Sequence, residues 1–76
     1  SKYNKEERLQ LALDYLSDPA HPFMRIADYV KLTGLSRTAA TLELKEFREN
    51  PESGLDTSGR GTAKVYIKRT IDKSNE

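Results

Sequence analysis

Tyr29-Val30-Lys31-Leu32-Thr33-Gly34-Leu35-Ser36-Arg37-Thr38 lies near the middle of the chain and contains a helix stop followed at once by a helix start. Gly34 stands where a helix end asks for a left-handed backbone, a conformation that glycine adopts with little steric cost. Ser36, two residues on, carries a hydroxyl suited to capping the next helix. Leu35 between them is expected to plug the turn against the core. The stretch therefore predicts two helices joined by a turn too short to let them separate.

Working outward, Ile26, Tyr29, Val30 and Thr33 share one face of a helix expected over residues 26–33. The helix after the turn is expected over 37–49 and stops before Pro51. With Ala40 taken as zero and about 100° per residue, Leu44 and Phe47 fall within about 40° and face inward with it. Thr38, Thr41, Leu42, Lys45 and Glu49 lie about 100–200° away and face outward, flanked by Arg37 and Arg48 at roughly 60–80°.

Before residue 26, a first helix is expected over 5–17. Asn4 and Glu7 have the spacing of an N-cap with a reciprocal carboxylate. Leu9, Ala12, Leu13 and Leu16 form its core face, and Asp18-Pro19 ends it. Phe23, Met24 and Arg25 then read either as a short strand or as a lead into the second helix.

After Pro51 the period changes. Ser58-Gly59-Arg60-Gly61 is a turn signal, and Ala63, Val65 and Ile67 alternate with Lys64, Tyr66 and Lys68. Residues 54–69 read as a β-hairpin with a flexible tip, and 70–76 as a frayed polar tail. The predicted fold class is mainly α with a small β-hairpin, in a single domain over residues 1–76.

Charge is uneven along this chain of net charge +1. Residues 1–50 carry eight basic and eight acidic side chains. Residues 57–73 carry Arg60, Lys64, Lys68, Arg69 and Lys73 against Asp72. Such a basic stripe suits a polyanionic partner, or else solubilises an exposed strand edge.

Several function classes have little to stand on. There is no cysteine, so no disulfide or thiolate metal site, and the single histidine, His21, leaves no histidine zinc site. No cofactor or metal is predicted. His21 sits between Ala20 and Pro22 and reads as a solvent residue. Ser17 and Asp18 are near it only in sequence, so no catalytic site and no enzyme is predicted. No phosphate-loop motif occurs. No apolar run is long enough to span a membrane, and no signal peptide is visible. The start at Ser1 without Met leaves room for an upstream segment. A cysteine-free chain fits a cytoplasmic location.

The order helix, connector, helix, turn, helix, hairpin is similar to a winged helix-turn-helix domain of the bacterial or phage regulator type. Residues 29–38 resemble the helix-turn-helix pattern apolar-small-x-x-Thr-Gly-Leu-Ser, with Val30 where the family usually has Ala. Gly59-Arg60-Gly61-Thr62 and Val65-Tyr66-Ile67 resemble the wing, so the likeness spans about residues 5–69. The third helix departs from the pattern: Arg37, Lys45 and Arg48 are balanced by Glu43, Glu46 and Glu49, where recognition helices are often more basic.

The resemblance implies sequence-specific binding of double-stranded DNA, with the third helix in the major groove and the wing on the backbone or minor groove. The protein would be a transcriptional regulator or the DNA-binding part of a larger one. The expected contact residues are Ser36, through its backbone amide, Arg37, Thr38, Thr41, Lys45, Arg48, Arg60, Lys64 and Lys68. Leu42 is expected at a thymine methyl or a protein contact, or else is a single exposed leucine of the kind common on protein surfaces. Leu11 and Tyr15 form a second apolar strip on the first helix. It serves either a homodimer or packing against the N-terminal residues or the hairpin. The rival reading is a winged helix module for protein–protein interaction or dimerisation that does not bind DNA.

Overall fold

The computed structural model describes residues 2–69, so the tail expected over 70–76 lies outside the described residues. Three helices come first: α1 over Lys5–Ser17, α2 over Ile26–Thr33 and α3 over Arg37–Glu49. Two strands follow, β1 over Leu55–Ser58 and β2 over Val65–Lys68, paired antiparallel. This mainly α fold with a small hairpin has a layout compatible with a winged helix.

Local chemistry sets the helix ends where the sequence puts them. The Asn4 side chain accepts from the Glu7 amide at 2.8 Å, and the Glu7 carboxylate accepts from the Asn4 amide at 2.9 Å. Gly34 takes φ +77° and donates its amide to the Val30 carbonyl, closing α2. The Ser36 hydroxyl accepts from the Ala39 amide and opens α3. Inside the turn, Thr33 is buried and its hydroxyl donates to the Tyr29 carbonyl at 2.7 Å. Leu35 is only half-buried and packs on the edge of the core. The turn is therefore plugged chiefly by the threonine.

The core gathers Ala12, Met24, Tyr29, Ala40, Leu44, Phe47, Leu55 and Tyr66 from all three helices and the hairpin. Leu9, Leu13 and Leu16 pack on it from α1, as their spacing predicts. Met24 forms a β-bridge to Tyr66 with both backbone bonds at 2.8 Å, so the segment before α2 is a minimal third strand.

That bridge corrects the reading of β2. The alternation reads as a half-buried strand with Tyr66 on the same face as Lys64 and Lys68, but Tyr66 is the buried residue while its neighbours are half-buried and Ala63 is exposed. With Met24 on one edge and β1 on the other, Tyr66 is central in the sheet, and its large ring closes the core. The hairpin tip also carries a single 3-10 turn, Gly61–Ala63, where only a flexible loop was expected. A second such turn, Pro51–Ser53, links α3 to β1.

A polar network joins the three helices. Arg8 on α1 donates through Nε and Nη2 to the two carboxylate oxygens of Glu43 on α3, at 2.7 and 2.8 Å. The Tyr29 hydroxyl on α2 donates to the same carboxylate at 2.6 Å. The Arg8 and Glu43 side chains are only 14% and 11% exposed. Hydrogen bonding from Arg8 holds the Glu43 carboxyl below its ordinary 4.5. Burial, reinforced by Glu43, pushes the Tyr29 phenol far above its ordinary value, so it remains a donor.

Removing Arg8 leaves the desolvated Glu43 carboxylate with the Tyr29 hydroxyl but without its cation. Arg8→Ala is expected to cost about 2–4 kcal/mol in urea unfolding. Glu43 stabilises the fold fully above its ordinary pKa, and that contribution is lost as pH falls through its lowered folded value. The wild-type urea midpoint should therefore drop more steeply between about pH 5 and pH 2 than that of Glu43→Gln. Parallel acid profiles would show that this carboxylate is not the stabilising group.

Candidate nucleic-acid interface

α3 is charge-sided. Its inward residues Ala40, Leu44 and Phe47 are buried, and Thr38, Thr41, Leu42, Lys45 and Glu49 are exposed, as the helical arithmetic predicts. Two of its three acids face α1: Glu43 meets Arg8, and Glu46 meets Lys5 at 2.7 Å. The helix is neutral in sum, yet its outward side presents Arg37 and Lys45, with Glu49 in the last turn. Neither Arg37 nor Lys45 has an ion pair among the described residues.

Beside that side runs a groove of about 500 Å³ between the start of α2, the first half of α3 and the hairpin. Arg25, Arg37 and Lys64 bring three cations to it from three elements, with Thr41 and Tyr66 between them. Arg25 and Lys64 also lack an ion pair among the described residues. Burial raises the pKa of the Tyr66 phenol, so the lining tyrosine is neutral at physiological pH. Arg25 is the residue that sequence reasoning missed. Its backbone amide donates to the Asp28 carboxylate at 2.9 Å, and its guanidinium lies 5.3 Å from the Phe23 ring centroid. The local signal at Arg25 is an ordinary helix start, and only the tertiary fold sets it opposite the hairpin.

The hairpin tip carries Arg60, exposed beside Gly61, which lines the groove. Gly59 has φ +88°, and a Cβ there would stand 2.6 Å from the Ala63 carbonyl oxygen. The tip closes only because that atom is missing.

Two of the expected contact residues have other engagements. Arg48 Nε lies 3.5 Å from the Thr57 hydroxyl and 3.9 Å from Asp56, which ties the end of α3 to β1. Lys68 donates to the Ser17 hydroxyl at 3.0 Å, at the end of α1 and away from the groove. Arg69 also braces the hairpin, donating to the carbonyls of Arg48 and Leu55 and lying 3.7 Å from Asp56. Ser36, Arg37, Thr38, Thr41, Lys45 and Lys64 are thus gathered around α3 and the groove, with Arg60 at the adjoining tip.

The second strip on α1 divides. Tyr15 stacks on His21 with ring centroids 3.9 Å apart and packs at the core edge. His21 is half-buried in this stack and its Nδ1 is 3.2 Å from the Tyr15 carbonyl, which corrects its reading as a solvent residue. Leu11 instead lines a shallow hollow with Tyr3, Glu7, Gln10 and Asp14. Among the described residues no group of three His, Asp or Glu side chains converges as a metal site requires, and no helix is long and apolar enough to cross a membrane.

No protein-family model, curated protein or solved structure matches this chain.

Gly59 and Gly61 both have positive φ, but a Cβ at Gly61 meets nothing within 4 Å. Gly61→Ala carries only the backbone strain, about 1–2 kcal/mol, whereas Gly59→Ala adds a clash with backbone. Amide chemical shifts over the hairpin should move much further in Gly59→Ala than in Gly61→Ala. Equal perturbation would remove the steric account of the tip.

Proposed function

We propose that this chain is a winged helix-turn-helix domain that binds double-stranded DNA, with α3 in the major groove and the hairpin as a wing against the neighbouring backbone or minor groove. It would act as a transcriptional regulator or as the DNA-binding part of a larger protein. The observation that carries this reading is the convergence of Arg25, Arg37 and Lys64 on one groove while Glu43 and Glu46 face α1. Cations without ion pairs beside a helix of the right width suit a phosphate backbone flanking a major groove. Arg60 at the exposed tip adds a fourth cation, suited to a phosphate or a narrow minor groove.

Ser36, Thr38, Thr41 and Lys45 are the remaining contact residues of this reading. Arg48 has a secondary place in it because it is shared with the hairpin, and Lys68 has none. A second reading, an interaction module that docks through α1, draws on the hollow around Leu11.

Fluorescence anisotropy with a labelled mixed-sequence duplex tests the proposal. Four neutralised phosphates give a log–log salt slope of about −3.6. Lys64→Ala should flatten the slope by about 0.9, and Lys68→Ala should leave it unchanged. A slope near zero, or no binding at low salt, would defeat the DNA reading. Amide shifts confined to α1 on adding a protein partner would then favour the second one.

A further inference from the structure

Resting on the DNA reading, we infer that α3 recognises thymine through its 5-methyl group, with Leu42 and the Thr41 methyl as the specificity-determining contacts. Leu42 is 60% exposed, more than any other large apolar residue described. It shares a shallow hollow of about 390 Å³ with Arg37, Thr38 and Thr41. Thr41 contributes hydrocarbon there, because its hydroxyl proton is donated to the Arg37 carbonyl one turn back at 2.8 Å. The hollow around Leu42 is therefore largely apolar, with the cation Arg37 lining it and Lys45 about one turn further along the helix.

The residue types on α3 narrow the ligand further. The helix has no Asn or Gln, the side chains that pair bidentately with adenine. Thymine is the standard base that offers a methyl in the major groove. An RNA duplex lacks that methyl and has a major groove too deep and narrow for side chains to read. The flanking cations match a polyanion, so the apolar patch faces a methyl-bearing base step within a phosphate-lined groove. The ligand class is B-form DNA with thymine at the centre of the contacted step.

The test begins with selection from a randomised duplex pool at about 50 mM salt. The enriched duplex is then remade with deoxyuridine in place of thymidine. Affinity should fall roughly fourfold for each contacted methyl removed, with the salt slope unchanged. Leu42→Ala should weaken the thymidine duplex and lose sensitivity to the deoxyuridine exchange. Thr41→Val, which keeps the methyl and removes the hydroxyl, should retain that sensitivity, and Thr41→Ser should reduce it. Duplex binding that ignores the exchange, or an enriched pool without thymine, overturns the methyl contact and leaves DNA binding standing. Absence of duplex binding to any sequence overturns both the methyl contact and the DNA reading.

Discussion

The Glu43 carboxylate receives a forked guanidinium from α1 and a phenol from α2, and so fixes three helices around one point. In a chain of 76 residues the apolar core is small, and the eight buried hydrophobic residues among those described leave helix orientation weakly specified. A hydrogen-bonded ionic pair contributes little net stability compared with an apolar replacement, but it tolerates few geometries. Its consequence here is rotational: with Glu43 held against α1, α3 cannot turn about its own axis without stranding a desolvated charge.

That rotational constraint determines what α3 shows to solvent. Turned by one position, the helix would carry Glu43 or Glu46 toward the face occupied by Thr38, Thr41 and Lys45. The Lys5–Glu46 pair, half-exposed at 52% and 61%, adds little energy but reinforces the same direction. Folding and the electrostatics of the proposed interface are thus coupled through one carboxylate, because the pair that orients the helix also turns Glu43 and Glu46 away from the outward side and leaves only Glu49 there.

Where local chemistry decides, the sequence was a sufficient guide. Gly34, Ser36, Asn4 and Glu7 act on backbone within four residues, and the three helices begin and end as those residues require. The α3 wheel was equally legible, since Ala40, Leu44 and Phe47 are the buried set. β2 was not, because Val65, Tyr66 and Ile67 offer apolar groups to both faces and the choice is made by Met24, some forty positions earlier in the chain. Arg25 was hidden for the same reason: nothing within its own helix start marks it as a neighbour of Lys64.

Net charge pointed toward the C-terminal segment with the right sign but with a partly different set of residues. Of the cations that make that segment basic, Arg69 holds β1 to the end of α3 and Lys68 reaches from β2 to Ser17 at the end of α1. Arg60 and Lys64 remain free of such ties, and the N-terminal part of the chain, neutral in sum, supplies Arg25 and Arg37 to the same groove. A summed charge counts every side chain alike. An interface depends only on the charges that the fold leaves without a partner, and that subset is a property of tertiary structure.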